Sequence, residues 1–176
     1  MNADNLDVGK WVQYALSDYN AAVKMVRLHR PVPVEIVCYH CQQAAEKILK
    51  AYTIAKSATL TKTHDLVVLL NQCREHSAEF DKYAKPCIAL TTYASLSRYP
   101  ANVEITEQQM KQALKDVGDI IAFMAPFFSE MGYVIKLQKT QKEKPLAWLE
   151  EAKKKAAEHN ASLPIVSKKK STEIEQ

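Results

Sequence analysis

His40, Gln43 and Lys47 recur at spacings of three and four residues, which sets them in one column along the border of a helix. That column suits recognition of an anion or a base edge, with Lys47 as a point charge for phosphate and the imidazole and amide as hydrogen-bonding groups. The same spacing also suits a lysine whose stem covers apolar surface and a histidine satisfied at a helical seam. Arg98-Tyr99-Pro100 joins a guanidinium fork to an aromatic ring, with Tyr93 a few residues before it. This combination can grip phosphate while a base stacks. The competing role for Arg98 is to cap the carbonyls of a helix that ends there. His64 precedes Asp65, an acid suited to the positive end of a helix dipole. The candidate ligand-binding set is therefore Arg98, Lys47, His40, Gln43, Tyr99, Tyr93 and His64, with no catalytic residue and no metal ligand assigned.

Other chemistries are poorly served. Cys38, His40 and Cys41 lack the second Cys-x-x-Cys or spaced His pair that closed zinc coordination needs. The three glycines, Gly9, Gly118 and Gly132, are far apart, so there is no glycine-rich phosphate loop. Neither a serine nucleophile motif nor a dense acidic cluster for paired magnesium ions is present. No cofactor is expected.

The elements that must position these residues are helical. Three glycines in 176 residues is far below the usual share of about 7%, and glycine is most used in the tight turns between strands. The periodicity predicts a first helix from about Asn5 to His29, closed by Pro31 and Pro33. A second runs from about Val34 to Lys56, with Val37, Cys41, Ala44, Ala45, Ile48, Leu49 and Tyr52 on one face. A third is capped by Thr63, carries Leu66, Val67, Leu69 and Leu70, and ends near His76. A fourth spans about Ala78 to Ser97, with a kink expected at Pro86, and Arg98 to Asn102 forms a loop. A fifth opens at Thr106 with a capping box to Gln109 and ends at about Pro126. The expected fold is an all-α, up-and-down four- or five-helix bundle over residues 1–135. Residues 136–176 are expected to be a charged linker, a short helix from Pro145 and a flexible tail rich in Lys, Ser and Glu.

The net charge of +4 arises entirely after Ile135, where ten lysines face six glutamates, while the preceding body is balanced at fourteen of each sign. A neutral body does not suit a specific duplex-DNA interface, which needs a basic face on the folded domain. The Lys153–Lys155 and Lys168–Lys170 runs suit nonspecific contact with RNA or an acidic partner, or plain solvation. Apolar stretches are too short for a membrane helix and the first twenty residues lack a secretory pattern, so a cytoplasmic protein is expected. The four cysteines are then expected to be reduced thiols packed like small hydrophobes.

Cys-Tyr-His-Cys-Gln-Gln-Ala-Ala-Glu-Lys-Ile-Leu-Lys-Ala from Cys38 to Ala51, then His64-Asp65-Leu66, then Tyr93 and Arg98-Tyr99-Pro100, resembles the HEPN family in content and order. The similarity covers roughly Trp11 to Met124. The resemblance implies a helical bundle, often dimeric, that binds nucleotide or RNA, is frequently encoded beside a small nucleotidyltransferase, and in some branches is an RNase toxin of a toxin–antitoxin pair. Catalytic branches carry an Arg followed, after four to six intervening residues, by a His. With Arg98 as that Arg, the matching positions here are Val103, Glu104 and Ile105. None of these replaces an imidazole whose pKa lies near neutrality. The expected function is a noncatalytic nucleotide- or single-stranded-RNA-binding module, homodimeric and paired with a nucleotidyltransferase-type protein. Two alternatives stay open: a divergent metal-independent RNase toxin with His40 or His64 as base, and a purely structural protein-interaction module.

Overall fold

A computed structural model describes residues 7–57, 59–96 and 104–137, all within one compact unit, Met1–Gln138. These residues form an all-α bundle: α1 (Val8–Leu28), α2 (Val34–Ser57), α3 (Leu66–Arg74), a 3-10 segment (Ala78–Tyr83), α4 (Ala84–Leu96) and α5 (Glu107–Glu130). Arg98 to Asn102, the linker, the short helix from Pro145 and the lysine-rich tail lie outside the described residues. No helix among the described residues is long and apolar enough to cross a membrane.

Helix α2 is the centre of the bundle, packed against α1, α3, α4 and α5. Its predicted apolar face, Val37, Cys41, Ala44, Ala45, Ile48, Leu49 and Tyr52, is buried throughout. Helices α1 and α2 form an antiparallel hairpin across a short turn containing Pro31 and Pro33. Asp18 lies opposite His40 and Lys47, while Trp11, nearer the start of α1, meets Lys50 farther along α2. The other side of the core comes from α5, whose Met110, Ala113, Val117, Ile120, Ile121, Met124 and Phe128 are buried. The four cysteines are free and buried among them. Burial pushes the Cys38 and Cys87 thiols up to about 12, so they remain protonated and inert.

Helix ends follow local chemistry. Asp7 accepts from the Lys10 amide at 3.1 Å to start α1. The expected capping box at Thr106 is formed, with the Gln109 amide donating to the Thr106 hydroxyl and the Gln109 side chain accepting from the Thr106 amide. Three expectations need correction. The cap of α3 is Asp65, not Thr63: its carboxylate accepts from the Val67 amide at 2.8 Å and adds negative charge at the dipole's positive end. Thr63 instead accepts from the Asp65 amide, two residues before the cap's own bond, and α3 ends at Arg74, two residues before His76. The division of the fourth helix falls upstream of the kink expected at Pro86: the segment changes type between Tyr83 and Ala84. A continuous α-helix there would drive the Pro86 ring against the Lys82 carbonyl, so the segment upstream tightens to 3-10 and Pro86 falls in the first turn of α4.

The third correction is at Pro126, which lies inside α5 instead of ending it. Its missing amide frees the carbonyl of Ala122, an exposed position where water can serve it. The next two residues hold the helix on: Phe128 is fully buried and Phe127 packs against Tyr52 with ring centroids 4.8 Å apart. The true stop is Gly132, at φ 85°, where the Tyr133 amide reaches back to the Phe128 carbonyl at 2.9 Å. An Ile48→Ala change in this core is expected to cost about 2–5 kcal/mol in urea unfolding. The half-exposed Val68→Ala should stay within about 0.5 kcal/mol.

Candidate functional site

The α2 helix carries two adjacent polar columns. One is His40, Gln43 and Lys47; the other is Gln42, Glu46 and Lys50. Because α2 is surrounded by the bundle, the second column is buried: Gln42 is 0% exposed, Glu46 4% and Lys50 5%. Buried polar groups must find partners, and these find one another.

From one end, the His40 Nδ1 lies 2.9 Å from Asp18 Oδ1 on α1, and the Lys47 ammonium donates to Asp18 Oδ2 at 2.5 Å. The same ammonium donates to Gln43 Oε1 at 3.0 Å, and Gln43 Nε2 donates to Gln42 Oε1 at 2.7 Å. Gln42 Nε2 then donates to Glu46 Oε2 at 3.0 Å and to the His64 carbonyl at 3.3 Å. Glu46 also accepts from Lys50 Nζ at 2.7 Å, and Lys50 lies 5.5 Å over the Trp11 ring. Finally His64 Nδ1 lies 3.1 Å from both Glu46 oxygens. One unbroken run of side-chain hydrogen bonds thus joins Asp18 to Glu46 along α2.

The run fixes the imidazoles. A carboxylate can only accept, so Nδ1 must carry the proton in both His40 and His64. In each ring Nε2 has no partner among the described residues. The two rings differ in access: the His64 side chain is 69% exposed, whereas that of His40 is 23% exposed. Burial alone would push the Glu46 carboxyl up. Hydrogen bonds from Lys50, Gln42 and His64 and the Lys50 charge outweigh it, and the pKa is lowered.

Sequence reasoning placed His40, Gln43 and Lys47 together, and they share one network. His64 joins them through Glu46 across the loop before α3. Tyr93 sits elsewhere: it is 8% exposed on α4, and its phenol pKa is raised by burial and by Cys38, Cys41 and Asp116. Arg98 and Tyr99 lie outside the described residues. Four members of the network, Asp18, Gln42, Glu46 and Lys50, were not anticipated. Two signals were available: Asp18 is the lone acid within α1, and Gln42-Glu46-Lys50 repeats every fourth residue of α2 beside its apolar face.

An all-α bundle with a polar run along its central helix defines the class. The model of the HEPN domain family matches residues 8–127, and the chain belongs to that family. Membership points to a nucleotide- or RNA-related function. Comparison with curated proteins and with solved structures finds no match.

A Glu46→Gln change is expected to lower stability at pH 7 by about 3–5 kcal/mol, because Lys50 is left buried without its counter-charge. The pH dependence follows from the lowered carboxyl pKa. Its stabilising contribution is full above the unfolded glutamate value of about 4.3 and is lost as pH falls through the lower folded value. Denaturant midpoints measured across acid pH should therefore fall less steeply below about pH 4.3 in Glu46→Gln than in the parent.

Proposed function

We propose that the chain is a noncatalytic HEPN module that binds a nucleotide or the single-stranded end of an RNA, as a homodimer acting with a nucleotidyltransferase-type partner. The observation that supports it best is the His64 imidazole, held at Nδ1 by a buried carboxylate and turned outward at Nε2. A ring locked in this way offers a defined acceptor atom at low entropic cost, which is what recognition of an N–H on a base edge or of a ribose hydroxyl requires. Lys47 contributes less charge than its sequence position implied, since Asp18 neutralises it. The charge that meets an anion then falls to Arg98. Dimerisation and the partner rest on the family resemblance.

A thermal-shift screen of nucleotides and short single-stranded RNAs tests this reading. Ligand at about 100 times its Kd should add roughly 2.7 kcal/mol, a rise of a few degrees for a domain of this size. The rise should shrink in His64→Ala and in Arg98→Ala. No rise with any nucleotide or RNA would leave the structural interaction module as the better account.

One observation favours the RNase alternative. An exposed imidazole whose far nitrogen is held by a buried carboxylate has the geometry of a general base, and His64 with Glu46 shows it. Incubation with single-stranded RNA separates the two readings: the binding module leaves the RNA intact, whereas cutting that vanishes in both His64→Ala and Arg98→Ala establishes the nuclease.

A further inference from the structure

A second place on the bundle has unspent recognition chemistry. Between the 3-10 segment, the start of α4 and α5 lies an open cleft of about 580 Å³, lined by Lys82, Tyr83, Pro86, Lys115, Asp116, Asp119, Ala122 and Phe123. Its volume falls within the range of about 300–1,000 Å³ typical of small-molecule sites. None of these residues belongs to the α2 network.

The charges around the cleft sort themselves. Lys115 Nζ donates to Asp119 Oδ2 at 2.7 Å, so those two cancel. Asp116 is half-buried and accepts at Oδ1 from Gln112 at 2.8 Å, while its Oδ2 has no partner among the described residues. Lys82 has no acidic partner among the described residues; its ammonium rests 3.9 Å from the centroid of the Phe123 ring. Phe123 is fixed from behind by Phe80 at 5.1 Å and Tyr83 at 5.3 Å, and Tyr83 is anchored by its hydroxyl donating to the Asp119 carbonyl at 3.2 Å. What the cleft offers a ligand is one aromatic face on which only Lys82 rests, that cation without an acidic partner, and a carboxylate whose Oδ2 is unpartnered and whose Oδ1 holds one bond.

A ligand matching all three needs a planar ring, an anionic group and N–H donors on the ring edge. Among nucleobases, guanine offers two adjacent N–H donors, at N1 and the exocyclic amine, to a carboxylate. Adenine and cytosine each place an acceptor nitrogen beside their single amino group, which would face the carboxylate lone pairs. A bare guanidinium also fits Asp116, but it brings positive charge beside Lys82 and Lys115 with nothing for Lys82 to bind. We propose that this cleft binds a guanine nucleotide, with the base stacked on Phe123 and paired with Asp116 while Lys82 takes the phosphate. The cation–π contact of Lys82 is weak at an exposed position, so the phosphate draws the ammonium aside and uncovers the ring for the base. Burial raises the Asp116 pKa, which agrees with a carboxylate short of donors in the free protein.

Titration calorimetry with GDP and ADP on the full chain tests the assignment. The His64→Ala/Arg98→Ala double variant serves as the host, so that loss of the α2-edge groups does not mask or mimic the cleft. GDP should bind this host at least about tenfold more tightly than ADP, the factor expected for a charged hydrogen-bonded pair. Asp116→Asn should abolish that preference, whereas Lys82→Ala should weaken both nucleotides by a similar factor. Lys82 is exposed and Asp116 half-buried, and an unchanged circular-dichroism melt confirms the fold of both variants. Equal affinity for GDP and ADP in the host, a preference that survives Asp116→Asn, or binding of N-acetylarginine amide without binding of GDP overturns the proposal.

Discussion

A helix packed against four others leaves the polar side chains on its inner faces almost no solvent to turn to, and that constraint on Gln42, Glu46 and Lys50 of α2 organises the rest of the molecule. Leaving an amide or a charge buried without a partner costs more than most single contacts return, so each polar residue of α2 has to be met. The amide groups of Gln42 and Gln43 do this by linking in series, each donating through nitrogen and accepting through oxygen. Because each link uses a specific atom, turning one amide over would break two bonds at once. The helix is thereby fixed in rotation and register against α1 and against the loop before α3.

The charged members follow a related logic. A buried lysine–carboxylate pair such as Lys50 and Glu46 does not outdo a well-packed apolar pair in stability, because desolvation offsets most of its attraction. What it adds here is directional. Glu46 is wide enough in hydrogen-bonding capacity to hold Lys50, Gln42 and His64 together, and only His64 of these reaches water. The buried carboxylate therefore converts a core interaction into control of a surface group, with the imidazole tautomer set from inside the bundle. Asp18 does the same for His40 and at the same time cancels Lys47.

How far the sequence disclosed this depends on which physical rule governed each residue. Apolar periodicity located all five helices, since burial of a stripe is a local property of spacing, and the capping box at Thr106 was legible because both partners lie within one turn. Prolines were read less well: Pro86 and Pro126 were treated as a kink and an end. Both are absorbed by context, in one case by tightening the upstream turn, in the other by two phenylalanines that keep the helix on the core. The column His40, Gln43 and Lys47 was visible for the same reason as the apolar stripe. Asp18 and Glu46 were not, because their roles arise from pairings twenty or more residues apart that only the packed hairpin and the α3 approach create.

The same pairings decide what charge the network presents at its edge. The α2 network is internally neutral, two acids against two lysines, so attraction of an anion to it must come from groups that are not already paired. His40 and His64 are tied in a different way: each gives its Nδ1 proton to a carboxylate, which leaves Nε2 as an acceptor with no partner among the described residues. A ring tied at one nitrogen turns only by breaking that bond, so the other nitrogen keeps one direction and one hydrogen-bonding role. The buried acids that look, in a tally of charges, like a neutral balance to the lysines are also what gives the two histidines their tautomer and their direction.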